Sequence, residues 1–177
     1  MSRVYDPAKD KDERVRCGTG THIFRIVKTK GGYSQQKGTR FIEIMAKVID
    51  GPFKGAFVRD TVYITDSTWP RVVTLLAASG AGVVDVDNDE QVWKGLVGRT
   101  LQITIKEEPY ESKKDHTTKM GLVFEYWGFK PVDKTKYQDE PAPAFVVDPD
   151  EAQGGARAQG GGGAPPTAPI DDDDLPF

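Results

Sequence analysis

The 177-residue chain has room for one ordinary domain and a sizeable appendage, and at 37% hydrophobic and 29% charged it is less apolar than a wholly folded domain of that size. Cys17 is its single cysteine, which excludes an internal disulfide and a thiolate zinc site, and no run approaches the roughly 18 apolar residues of a membrane span. The net charge of −3 hides a division: residues 1–130 carry 21 Lys+Arg against 17 Asp+Glu, or +4, and residues 131–177 carry 3 against 10, or −7.

Such asymmetry suits a body that meets a polyanion and a tail that meets something basic. With one cysteine, no apolar signal core and no membrane-length segment, the expected compartment is a reducing cytoplasm, without membrane association.

Residues 1–18 are polar, charged and aperiodic, and read as a mobile N-terminal arm. Thr21 to Lys28 is β-rich and ends at the turn signal Gly31-Gly32, with a loop following through Gly38. From Arg40 to Ile49 the alternation is clear: Ile42, Ile44, Ala46 and Val48 share one face, and Phe41, Glu43, Met45 and Lys47 the other. Asp50-Gly51-Pro52 turns the chain, and Phe57 to Ile64 repeats the pattern, with Val58, Val62 and Ile64 inward and Phe57, Arg59, Thr61 and Tyr63 outward.

Asp66 or Ser67 caps a predicted helix through Ala78, with Pro70 in its first turn and Gly80 at its end, and a second helix is predicted over Asp89 to Leu96. Arg99 to Lys106 alternates strictly as a fourth strand, a polar loop spans Glu107 to Lys119, and Leu122 to Phe129 forms a fifth strand. Trp69, Trp93 and Phe124 are expected in the core.

Three strands, a helical insertion between strands 3 and 4, and two further strands give a mainly β fold, and the order is that of a five-stranded OB-fold barrel. The folded domain is expected over residues 19–130. Beyond Pro131 the periodicity vanishes into Pro, Ala, Gly and acidic residues, which predicts a disordered linker over residues 131–170 and a tip at 171–177.

An unpaired base offers a flat π-face and a charged backbone, so a general single-strand binder needs aromatic platforms interleaved with Lys and Arg. The outward faces of strands 2 and 3 supply that mixture: Phe41, Phe57 and Tyr63 to stack, with Arg40, Lys47 and Arg59 to neutralise phosphates. Tyr33 and Lys37 in the first long loop, and Tyr110, Lys113, Lys114 and Lys119 in the last, are expected to form the rims. Exposed strand aromatics equally suit a covering loop or a second copy of the chain, so a homo-oligomer stays open.

The tip, Asp171-Asp172-Asp173-Asp174-Leu175-Pro176-Phe177, makes poor sense as packing and good sense as a ligand. Phe177 can enter an apolar pocket, Pro176 limits the entropy lost on docking, and the carboxylates of Asp171 to Asp174 can meet surrounding Lys and Arg. This ending resembles that of bacterial and phage single-stranded-DNA-binding proteins, which join an OB domain through a Gly/Pro-rich linker to an acidic end closing in Pro-Phe. The match covers the last residues and, more loosely, the linker composition; the long helical insertion looks more like a phage-encoded relative. The resemblance implies recruitment of replication, recombination and repair proteins by the tip, in a bacterial or infected-host cytoplasm.

Catalysis finds no support in the residues, and neither a cofactor nor a metal is expected. Cys17 and His22 alone do not close a zinc site, and His116 sits in a lysine-rich loop. The competing readings are an OB-like protein-interaction adaptor and a strand-annealing recombination protein.

Overall fold

The computed structural model describes residues 15–112 and 115–146. Most of the expected N-terminal arm, the linker beyond residue 146 and the tip Asp171–Phe177 therefore lie outside the described residues, as do Lys113 and Lys114.

Five strands and two helices follow in the order β1 (Gly20–Tyr33), β2 (Arg40–Val48), β3 (Phe57–Tyr63), α1 (Trp69–Ser79), α2 (Asp89–Leu96), β4 (Thr100–Glu111) and β5 (Thr118–Lys130). They build one antiparallel sheet with strand order β3-β2-β1-β4-β5. The mainly β class and the helical insertion between the third and fourth strands are thus present, but the sheet is not closed into a barrel. β3 and β5 are its two edges, and among the described residues no backbone ladder joins them.

Side chains span the gap instead. Asp60 on β3 accepts the backbone N–H of Phe124 on β5 at 2.9 Å. Arg71 on α1 donates to the same carboxylate at 2.9 Å and to the Phe124 carbonyl at 3.1 Å. Both peptide groups of Phe124 are thereby held by side chains on and beside β3, without a paired strand.

One face of the sheet carries the core. Ile42, Ile44, Ala46 and Val48 of β2, Val58 and Val62 of β3, Phe24 and Ile26 of β1, and Leu101, Ile103 and Ile105 of β4 are all buried, with Val72, Leu75, Val92 and Leu96 from the two helices. Each fully buried Ile, Leu or Phe contributes about 1.5–3 kcal/mol of transfer free energy, so this inner face fixes the register of every strand.

Four sequence-based boundaries shift, each for a physical reason. β1 does not end at Gly31-Gly32 but runs through both glycines to Tyr33. A Cβ on Gly31 would overlap the Asp89 carboxylate and Arg40, and one on Gly32 would stand 2.6 Å from Cζ of Phe41, so these glycines serve close approach rather than a turn. A bulge between Ile26 and Lys28 moves the inward positions from Phe24 and Ile26 to Thr29 and Gly31.

The expected polar loop from Glu107 is mostly strand, because β4 and β5 continue to Glu111 and back from Thr118. Residues 107–111 and 118–120 are exposed, so no buried row exists for hydrophobic alternation to report. Residues 108–121 and 144–146 belong to a second unit.

The residue before α1 is Thr68, whose hydroxyl donates to the Tyr63 carbonyl at 2.6 Å rather than capping the helix, and neither Asp66 nor Ser67 takes the cap. Gly80 ends the helix in the left-handed region at φ 73°. Of the three aromatics expected in the core, Phe124 is buried and Trp93 packs against the core, but Trp69 is 43% exposed.

The chain does not leave the body at residue 131. The Asp139 carboxylate accepts from the Thr100 N–H at 2.7 Å, Arg99 at 3.2 Å and Lys134 at 2.6 Å. The Glu140 N–H donates to the Gly98 carbonyl at 2.9 Å, and Trp93 Nε1 donates to the Pro143 carbonyl at 2.9 Å. Composition marked this stretch as linker because its apolar content is low; its attachment is polar, made to the backbone of Gly98 and Thr100 and to the side chains of Arg99 and Trp93.

Candidate nucleic-acid interface

The other face of β1–β3 turns away from the core, and cross-strand pairing sets its rows. Phe41 of β2 stands opposite Tyr63 of β3, with ring centroids 5.9 Å apart and planes at 68°. Met45 stands opposite Arg59, and Lys47 opposite Phe57, with the Lys47 ammonium 5.5 Å from the centre of the Phe57 ring. Phe57 is 56% and Tyr63 46% exposed, an unusual outlay of aromatic area beside solvent.

Cations interleave with these rings. On β1, Arg25 lies opposite Lys47, Lys28 opposite Met45 and Lys30 opposite Glu43, so Arg25, Lys28, Lys30, Lys47 and Arg59 share the face with the single carboxylate of Glu43. Glu43 is 3.6 Å from Arg59. Sequence reasoning missed Lys28 and Lys30, because unbroken alternation from Phe24 and Ile26 carries both to the inner row and the bulge between Ile26 and Lys28 reverses it; the signal available was the Lys-Thr-Lys alternation running into the glycines.

Of the residues read from sequence as the groove, Phe41, Lys47, Phe57, Arg59 and Tyr63 come together on this face. Arg40 does not join them. It occupies the inner row of β2, is buried, and pairs with Asp89 at the start of α2 while donating to the Val86 carbonyl at 3.3 Å. Tyr33, 62% exposed, ends β1 rather than standing in a loop, with the Arg40 guanidinium 5.5 Å from its ring centre. Lys37 is exposed in the connection from β1 to β2, where the Ser34 hydroxyl accepts the Thr39 N–H at 3.1 Å.

Tyr110 and Lys119 lie in the hairpin of the second unit. A Cβ on Gly121 would stand 3.2 Å from the Tyr110 ring, and the Lys119 ammonium is 3.3 Å from the Asp115 carboxylate. Hydroxyls of Ser112 and Thr117 hold that carboxylate far below the usual range. His116 has its Nδ1 at 3.1 Å from Glu111.

Where the outer face meets the chain after β5, a cleft of about 450 Å3 opens, lined by Arg25, Lys47, Lys54, Lys136, Tyr137 and Gln138 among others. Arg25 pairs with Glu140 and donates to the Gln138 carbonyl at 3.1 Å. The Tyr137 hydroxyl donates to Asp50, and this bond, with the Gly51 N–H and the nearby Lys136 and Lys54, keeps the Asp50 carboxyl below its ordinary pKa.

Cys17 and His22 do not form a metal pair. The Cys17 thiol is buried, which raises its pKa, and bonds the Gly18 carbonyl; His22 Nε2 lies 3.1 Å from that same carbonyl, its ring edge-on to Phe53 at 5.3 Å. Among the described residues no cluster of three His, Cys, Asp or Glu could hold a metal, and no helix is long and apolar enough to cross a membrane.

Compared with known proteins, the chain matches no family model and no curated protein.

Proposed function

We propose that the protein binds single-stranded DNA without sequence preference across the outer face of β1–β3, and that its acidic C-terminal tip recruits replication, recombination and repair enzymes to the covered strand. The reading includes an OB-type barrel. The order β3-β2-β1-β4-β5 is that of such a barrel cut open between β3 and β5, and the Asp60–Arg71–Phe124 contacts bridge that cut.

The observation that carries the reading is the pair of cross-strand contacts, Phe41 against Tyr63 and Lys47 against Phe57, on one solvent-facing surface. Every base has a π-face, so stacking on such rings is tolerant of sequence and worth about 1–3 kcal/mol per base, while the interleaved cations follow the phosphates. A surface built only to meet solvent would gain nothing from leaving these rings uncovered. The tip Asp171–Phe177 suits a partner with an apolar pocket ringed by Lys and Arg.

Ultraviolet cross-linking of oligo-dT to the full chain, followed by peptide mapping, tests the placement. The account expects the linked peptides to contain Phe41, Phe57 or Tyr63. Links confined to the exposed Trp69 of α1 would move the strand off this face.

A further inference from the structure

We infer that the cleft between the β2–β3 connection and residues 135–138 is an anion subsite that takes a backbone phosphate of the strand lying on the outer face. The inference rests on the proposed single-strand function and names one of its contact points.

Four cations, Arg25, Lys47, Lys54 and Lys136, line this one cleft of about 450 Å3, and among the described residues no carboxylate lines it. Three acids stand near it, and one of them already pairs with a lining cation. Glu140 pairs with Arg25, Asp50 accepts from the Tyr137 hydroxyl and the Gly51 N–H, and Asp133 accepts from the Thr135 N–H and hydroxyl at 2.9 and 2.6 Å. Counting Glu140, Asp50 and Asp133 against the four cations leaves +1 around the cleft, a balance that favours a phosphodiester over a neutral ligand. Lysine is a common phosphate binder as a point charge, and here three lysines from separate stretches of chain converge.

Lys47 links the cleft to the stacking face, since the same ammonium lies 5.5 Å from the Phe57 ring. A base stacked on Phe57 would carry its phosphate alongside Lys47, at the mouth of the cleft. The other walls come from Tyr137 and Gln138, so the chain after β5, which composition marked as linker, would form part of the binding surface.

The test uses the full chain with both Lys54 and Lys136 changed to Gln, titrated with fluorescein-labelled oligo-dT across a salt series. Loss of one phosphate contact should make the log–log salt slope shallower by about 0.7 and weaken low-salt binding several-fold. Lys54→Gln alone should shift it less and in the same direction. An unchanged slope with wild-type-like binding overturns the subsite and leaves the stacking face standing; a wild-type chain that ignores oligo-dT overturns both.

Backbone amide shifts of the wild-type chain separate the phosphate sources and do not depend on a variant folding. Shifts at Lys54, Lys136 and Gln138 on adding oligo-dT, reproduced only weakly by inorganic phosphate, support the inference. Saturable shifts from inorganic phosphate that oligo-dT does not displace would make this a free-anion site and overturn it.

Discussion

The Asp60 carboxylate on β3 accepts the peptide N–H of Phe124 on β5 at 2.9 Å, across the gap between the two edges of the sheet. Arg71 completes the contact, with its guanidinium 2.9 Å from Asp60 and 5.7 and 5.8 Å from the ring centres of Tyr126 and Phe129. Asp60→Ala would leave Arg71, of which only 13% is exposed, without its counter-ion and strip Phe124 of its acceptor. The expected loss is about 2–4 kcal/mol, read from urea unfolding. Asp60→Asn keeps an acceptor oxygen and should lose less.

Phe57 and Tyr63 are exposed, so their removal should cost binding rather than folding. Phe57→Ala and Tyr63→Ala should each weaken oligo-dT affinity by about 1–3 kcal/mol, with the thermal midpoint close to wild type. Phe41 differs, because its ring also packs over Gly32 and against Tyr63, so Phe41→Ala should reduce both affinity and stability. Anisotropy and thermal melts on the same samples check the split.

Arg40 should behave in the opposite way. Its charge is directed at Asp89 and Val86 on the inner side of the sheet, so Arg40→Gln should lower stability and leave the salt slope of single-strand binding unchanged. A slope shallower by about 0.7 would show that Arg40 neutralises a phosphate after all.

Asp139 ties the chain after β5 to the body. Burial pushes its carboxyl pKa up, but Lys134, the Thr100 N–H and Arg99 outweigh burial and leave it below the ordinary value. A carboxylate depressed on folding contributes stability that is present above its unfolded pKa of about 3.9 and is lost as pH falls through the folded value. Asp139→Asn should therefore cost most near neutral pH, and its deficit against wild type should narrow as pH drops below about 4. Urea unfolding of both chains over an acid pH series measures the gap.

The sheet face was legible where burial is one-sided. From Phe41 to Val48 and from Phe57 to Tyr63, inward Ile and Val alternate with outward aromatic and basic residues, and period 2 reports that directly. Legibility failed where a single residue resets the alternation, as at the bulge that puts Lys28 and Lys30 beside Met45 and Glu43, and where neither face is buried, as in the β4–β5 hairpin. It failed again for Arg40 and Asp60, polar residues at inward positions whose partners Asp89 and Arg71 come from the helical insertion, because charge at a strand position does not reveal a long-range counter-ion. The cleft was hidden for a related reason: its walls come from residues 25, 47–49, 54 and 135–138, which only the fold assembles.

The most direct test of the central claim is competition between labelled oligo-dT and a duplex of equal length for the full chain, repeated over a salt series. The account predicts a preference for the single strand by orders of magnitude, with a log–log slope that steepens by about 0.7 for each phosphate neutralised. Equal affinity for both, or no change in anisotropy with either, would contradict it.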